Sequence, residues 1–185
     1  MIKMILAVDR DNRIGWSNGE LPWKLPTDMK RFKELTTGGT VVMGHNTFKS
    51  LKRPNGLPNR KNFVLTRAPY SEIKGQYGDA VEIVSDLSYF ERLQHINGEV
   101  KSPDVWICGG AQIYDEAIKR QMVDQIYLTV VNLNTSADVG ISHDLAAWKL
   151  FILRQQEVGI NWVVTDFSEA QDDGTYMTFI TLDKQ

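Results

Sequence analysis

Six short apolar runs constrain this chain more than any other feature. They are IKMILAV (2–8), TVVMG (40–44), NFVLT (62–66), VEIV (81–84), DVWICGG (104–110) and QIYLTVV (125–131). Nearly unbroken apolar runs of this length are what strands covered on both faces look like. Helical patterns lie between them, at 26–37, 46–51, 86–96 and 111–119. The first of these follows a proline, and the third opens on Asp86, a capping acid. Strand alternating with helix predicts an α/β fold: a mainly parallel central sheet with right-handed crossovers. The tail differs. KLFILRQQEV (149–158) and TYMTFITL (175–182) are β-prone, with Asp173-Gly174 as a turn signal. One antiparallel strand is therefore expected to finish the sheet. No repeat and no Gly/Ser-rich linker divides the sequence, so residues 1–185 read as a single domain.

Charge and cysteine usage narrow the function. The formal charge of −2 comes from 21 basic and 23 acidic side chains with no long run of either sign, which argues against a nucleic-acid partner. Cys108 is the lone cysteine, so no intrachain disulfide forms, and no Cys/His cluster has zinc spacing. No metal is expected. The apolar start of MIKMILAVDRDN is too short to span a membrane or act as a secretory signal. The expectation is a cytoplasmic protein without a membrane partner.

One acid stands out. In GELPWKLPTDMKRFKELT (19–36), Leu25, Asp28, Met29, Phe32, Leu35 and Thr36 share one helical face, while Lys24, Lys30, Arg31, Lys33 and Glu34 mostly point elsewhere. A first-turn acid interacts favourably with the helix dipole by about 0.3–1 kcal/mol, but it does so as well on the wet side. Turned inward, a carboxylate needs donors, and a ligand with paired N–H groups supplies them.

Three strand ends suit a nucleotide. VWICGGAQIY passes from strand through Gly109-Gly110 into a helix, where small residues allow close backbone approach and the helix start favours anions. It is not the G-x-G-x-x-G fingerprint. VVMGHNTF repeats the arrangement, with Gly44 ending a strand and Asn46 or Thr47 placed to cap the next helix. FVLTR closes on Thr66 and Arg67, a hydroxyl and a guanidinium suited to phosphate. In such sheets ligands gather beyond the carboxyl ends of the strands.

Together these residues resemble the dihydrofolate reductase family. Its pattern reads here as Ile14-Gly15, Leu21-Pro22-Trp23, Asp28, Phe32 and Thr36, followed in order by VVMGHNTFKSL, RPNGLPNRKNFVLT, ICGGAQIY and IYLT. The resemblance implies that family's three-layer fold, with helices on both faces of the sheet. It also implies NADPH-dependent reduction of 7,8-dihydrofolate to tetrahydrofolate, with antifolate inhibitors as further ligands, and the expected state is a monomer. Asp28 would accept bonds from the pterin ring N–H and exocyclic amine, supported by Thr129. Ile5, Ala7, Met29, Phe32, Leu51 and Cys108 would wall the substrate. Arg60 would grip the glutamate α-carboxylate, with Arg53 and Lys33 at the same rim. Leu21, Trp23 and Tyr114 would join Asp28 in catalysis, Trp23 by helping to hold a water and Tyr114 by stabilising positive charge on the nicotinamide. Residues 14–21 would be a loop closing over the cofactor, paired with Asp138. Gly44, His45, Asn46, Thr47, Gly109, Gly110, Ala111, Gln112, Ile113 and Tyr114 would line the pyrophosphate. Thr66 and Arg67 would face the 2′-phosphate, and Ala7, Ile14, Gly15, Asn18 and Leu65 complete the cofactor set.

The sequence departs from the family's pattern in places. Five residues separate Gly15 from Leu21 where four are usual. Asn59 replaces a usual glycine before Arg60, and His45 and Gln112 stand where basic residues are common. Extra length falls near 91–102. His95 and His143 read as surface residues, Trp106, Trp148 and Trp162 as core, and DRDNR (9–13) as a solvated loop edge. Two rivals remain at this stage. One is a pyrimidine reductase of riboflavin synthesis, whose substrate carries ribityl phosphate and no glutamate carboxylate; the other is a folate-binding or structural protein that keeps the fold without turnover.

Overall fold

A computed structural model of the chain describes residues 1–95, 103–146 and 162–185. The strands are β1 (Ile2–Val8), β2 (Arg13–Gly15), β3 (Thr40–Gly44), β4 (Lys61–Leu65), β5 (Glu82–Val84), β6 (Val105–Ile107), β7 (Gln125–Val131), β8 (Val139–Gly140), β9 (Trp162–Asp172) and β10 (Thr175–Lys184). The helices are α1 (Pro26–Thr36), α2 (His45–Ser50), α3 (Tyr70–Tyr77), α4 (Ser88–His95) and α5 (Ala111–Lys119). Eight strands form one sheet in the order β5-β4-β3-β6-β1-β7-β10-β9, and β2 pairs with β8 separately.

The six apolar runs are the six parallel strands. Along β1 the side chains alternate: Met4, Leu6 and Val8 join a cluster with Leu87 just before α4, Phe90 of α4 and Ala117 of α5. Ile5 points the other way, into a cluster with Phe48 of α2 and with Phe32 and Leu35 of α1. This two-sided burial makes the strands apolar throughout, and it gives the three layers expected. Helix α4 starts as its acid predicts, because Asp86 accepts the Ser88 N–H.

Three expectations need correction. The one reversed strand is β10, antiparallel to β7 on one side and to β9 on the other. It does not finish the sheet, because β9 lies beyond it at the edge and runs in the direction of the parallel strands. Asp173 (φ 45°) and Gly174 (φ 81°) adopt the left-handed geometry of a tight hairpin turn. The arm entering that turn is Trp162–Asp172; the run 149–158, Trp148 and most of the extra length at 91–102 lie outside the described residues. Helix α3 was not anticipated, because YSEIKGQY buries only Ile73 and carries a glycine, which leaves little periodic signal.

The third correction concerns DRDNR, whose first residue is not solvated. Asp9 is 0% exposed. Its Oδ1 accepts the N–H groups of Asp11 (2.8 Å) and Arg13 (2.9 Å), and its Oδ2 accepts the Thr135 N–H (2.9 Å) and hydroxyl (2.6 Å). One carboxylate thus ties the end of β1 to the entry of β2 and to the loop after β7. Burial pushes its pKa up, but the Thr135 hydroxyl and the three N–H donors outweigh that and leave it below the ordinary 3.8. Asp9→Ala is expected to cost about 2–4 kcal/mol at pH 7 in urea unfolding, since it strands several donors. A depressed carboxylate stabilises above its unfolded pKa, so the wild-type advantage should shrink as pH falls below 3.8.

The topology then builds a crevice. From β3 the chain steps outward to β5 and returns to insert β6 between β3 and β1. The carboxyl ends of β3 and β6 meet there, where the Gly44 N–H donates to the Gly109 carbonyl at 2.8 Å.

Candidate active site

Helix α1 carries the predicted acid. Pro26 occupies its first turn, where a missing N–H costs nothing. Leu25 precedes it without a side-chain cap. The cap comes instead from the far end of the chain: Asp172 of β9 accepts the Thr27 N–H (2.8 Å) and the Thr27 hydroxyl (2.6 Å). Asp28, the next residue, turns toward the sheet and accepts the Thr129 hydroxyl at 2.6 Å through Oδ1. Thr129 of β7 lies beside Ala7 of β1 in the parallel ladder. Burial raises the Asp28 pKa above 3.8; the Thr129 hydroxyl and the Arg31 cation oppose the rise, and Asp172 adds to it. One carboxylate oxygen is held, and the other remains for a ligand.

The predicted inward face holds for Leu25, Phe32, Leu35 and Thr36, which are buried or half-buried. Met29 departs from it, at 53% exposed. Arg31 departs in the opposite sense. The helical period sets it among the solvated charges, yet it is half-buried, 4.8 Å over the Phe179 ring and 5.7 Å over Tyr127.

The apolar wall comes together as expected. Ile5 shares a cluster with Phe32, Leu51 and Cys108, while Leu65 and Ile14 pack on the other side of the sheet. Burial pushes the Cys108 thiol up to about 12, so it is a neutral packing group. Trp23 packs on Leu25, Val131, Met177 and Phe179. Its buried indole Nε1–H has no acceptor among the described residues, so it remains available to a water or a ligand atom.

Arg60 is placed by a stapled loop. Asn62 of β4 accepts the Leu57 N–H (2.9 Å) and donates to the carbonyls of Leu57 (3.0 Å) and Arg60 (2.9 Å). Asn59 takes φ 59°, so the residue in the family's glycine position keeps a glycine-like backbone, which asparagine tolerates. Arg60 Nη1 then donates to Thr36 Oγ1 at 2.9 Å and Nε to the Pro58 carbonyl at 3.0 Å. The guanidinium lies 6.0 Å from the Phe32 ring centre with its remaining N–H donors uncommitted among the described residues. Arg53 is exposed at the same loop.

Around the crevice the glycines matter for space. A Cβ on Gly44 would come within 3.0 Å of Ile113 Cδ1, and one on Gly110 within 3.0 Å of Thr47 Oγ1. Gly109, at φ 111°, lies against Tyr114, whose hydroxyl donates to the Ile5 carbonyl at 2.9 Å. Tyr114 is buried, and burial holds its phenol well above the ordinary 10. Helix α2 begins at His45 with Gly44 as its cap, so Asn46 and Thr47 lie in its first turn and do not cap it. His45 approaches the Tyr77 hydroxyl at 3.3 Å, and burial, then Lys49, lowers its pKa. Thr66 accepts the Ala68 N–H, while Arg67 and Gln112 are exposed.

The loop before α1 folds on itself: the Trp16 N–H donates to the Glu20 carbonyl at 2.9 Å, and Asn18 Oδ1 accepts the Glu20 N–H at 2.9 Å. Leu21 is exposed, and the Ser17 N–H donates to Asp138 at 2.7 Å, the loop–acid pairing expected. Elsewhere Trp106 is core, Trp162 is half-buried against the cluster on the other face of the sheet, and His143 pairs with Asp115 at 3.1 Å. The side chain of His95 lies outside the described part.

Sequence reasoning missed Asp172 and misread Arg31. The i, i+3 spacing from Asp28 to Arg31 was a usable signal; nothing local marks Asp172.

The sequence model of the dihydrofolate reductase family matches residues 1–168. A Bacillus subtilis dihydrofolate reductase is 37% identical over 151 residues, 81% of each chain. A Salmonella typhimurium dihydrofolate reductase type 3 is 36% identical over 138 residues, 75% of this chain and 76% of that one. A solved Enterococcus faecalis dihydrofolate reductase, complexed with NADP(H) and the compound RAB-propyl, superposes with a TM-score of 0.77 at 25% identity, covering 100% of this chain and 96% of the other.

Proposed function

This chain belongs to the dihydrofolate reductase family, and on that premise we propose that Asp28, Arg60 and the glycine-walled crevice carry its reaction. The activity is NADPH-dependent reduction of 7,8-dihydrofolate to tetrahydrofolate. The observation that carries the site assignment is Asp28 held by Thr129 on the inner face of α1.

The residues fit a dinucleotide at the crevice, since Gly109 and Gly110 lead backbone alone into the start of α5, whose N–H groups suit a pyrophosphate. A side chain at Gly44, Gly109 or Gly110 would crowd Ile113, Tyr114 or Thr47. Bound NADPH supplies the hydride. Asp28 takes two N–H donors of the pterin with its oxygens and orients the ring flat against the crevice. Its negative charge makes the imine nitrogen more basic, so water can deliver the proton there. Trp23, with its indole N–H unclaimed, suits the holding of such a water. Tyr114 is locked to Ile5 and keeps the wall rigid between the two ligands. Arg60 presents a fork to the glutamate carboxylate. Antifolates with an aminated ring would compete for Asp28. The reading extends to one domain acting as a cytoplasmic monomer, supported by all these groups coming from one chain; no helix among the described residues is long and apolar enough to cross a membrane.

Following NADPH absorbance with dihydrofolate tests the whole reading; a folate-binding protein without turnover would leave it unchanged. Within it, Arg67→Ala is expected to weaken NADPH by about tenfold or more and NADH by less than twofold, as loss of a charged hydrogen bond requires. Equal losses, measured by fluorescence titration, would remove Arg67 from the 2′-phosphate.

A further inference from the structure

Arg31 takes no part in the reaction as derived so far. It lies three residues after Asp28 on α1, so the two side chains are neighbours on adjacent turns. In the β7–β10 ladder Phe179 stands opposite Thr129, and Tyr127 opposite Thr181. Side chains alternate along a strand, so Tyr127, Thr129 and Phe179 share one face. The guanidinium rests on the two rings of that face, 4.8 Å from Phe179 and 5.7 Å from Tyr127, while the hydroxyl of Thr129 holds Asp28. The cation therefore rests, partly shielded from water, on the same side of α1 as the half-buried acid.

We propose that Arg31 is a positioning residue for the reduction, acting through Asp28 by keeping that carboxylate charged at the pH where the enzyme works. The inference rests on the assignment of Asp28 made above. Burial alone drives Asp28 toward its neutral form, and a neutral carboxyl presents one acceptor fewer to the pterin's paired donors. The charged and titratable groups around it are few. Arg31 on α1 favours the anion, Asp172 on β9 disfavours it, and Tyr114 on α5 is a neutral phenol raised by its own burial, then by Cys108 and Asp28. Arg31 in turn is disfavoured by burial and supported by Asp28, by Tyr127 on β7 and by Asp166 on β9. Of these groups only Arg31 supplies positive charge to the acid.

The test is the acid limb of the kcat/KM profile for dihydrofolate, compared in wild type, Arg31→Met, Arg31→Lys and Asp28→Asn. Methionine keeps an apolar stem over the rings and removes the charge. On the acid limb Arg31→Met should fall about threefold below wild type while its high-pH plateau is kept, and Arg31→Lys should follow wild type, as a nearby charge acting through a partly screened path requires. If the methionine variant does not fold, Arg31→Gln serves the same comparison with a flat neutral group. Loss of the acid limb in Asp28→Asn, with neutral Arg31 variants titrating as wild type does, overturns the role of Arg31 and leaves Asp28 standing. An acid limb that persists in Asp28→Asn overturns the assignment of the acid itself.

Discussion

Asp28→Asn is expected to fold as wild type does and to lose about two to four orders of magnitude in kcat/KM for dihydrofolate at pH 7. The substitution preserves shape, and the amide oxygen can still accept the Thr129 hydroxyl in the place of Oδ1. What it removes is the charge and one of two acceptors. An amide N–H then faces the pterin's own N–H donors, leaving buried donors unpaired in the complex. Stability separates this loss from unfolding. Burial raises the carboxyl's pKa above 3.8 in the folded chain, so the folded state binds that proton more tightly than the unfolded one. The ionised acid therefore subtracts stability as pH rises through 3.8, and the cost is complete above the folded pKa. At neutral pH the asparagine variant should melt at or above the wild-type temperature. Near-wild-type turnover in a folded Asp28→Asn protein would take the acid out of the mechanism.

Arg60→Ala is expected to raise KM for dihydrofolate by about a hundredfold, with kcat changed by no more than a few-fold. The arginine is held before any ligand arrives: Thr36, Pro58 and the Phe32 ring fix its fork, and Asn62 fixes the loop beneath it. Little side-chain freedom remains to be lost on binding, so its contacts with a carboxylate add to affinity almost in full. They lie at the far end of the substrate from the reacting ring and act equally before and during hydride transfer, so the effect falls on KM. A dihydropterin lacking the glutamate should be reduced equally by variant and wild type. Arg60→Lys should recover only part of the loss, because an ammonium cannot match the fork. A parallel fall with the truncated pterin would mean that Arg60 supports the wall rather than the carboxylate.

The strands were legible because burial on both faces leaves an unbroken apolar signature, as in Val41, Val42 and Met43 of β3. The acid was legible because the period of α1 aligns it with Leu25 and Phe32. Long-range polar contacts were not. Asp9 sits in a charged pentapeptide that reads as solvent-facing, and its burial depends on Thr135, which is distant in sequence. Arg31 looked solvated because the rings that cover it come from β7 and from the final hairpin. The cap on α1 left no mark near Leu25, where a local capping residue would sit, since it arrives from Asp172. Pattern reading sees what a residue does within its own element. It does not see partners delivered by the tertiary fold.

That remote cap has a consequence for how the enzyme matures. Residues 1–168 hold every group assigned to substrate or cofactor, yet the anchor for the first turn of α1 is written 145 residues after Thr27. During synthesis the first turn of α1 lacks this anchor until Asp172 has left the ribosome. A chain that stops upstream of Asp172 would keep every reacting group and lose this anchor, leaving the acid-bearing turn held through Thr129.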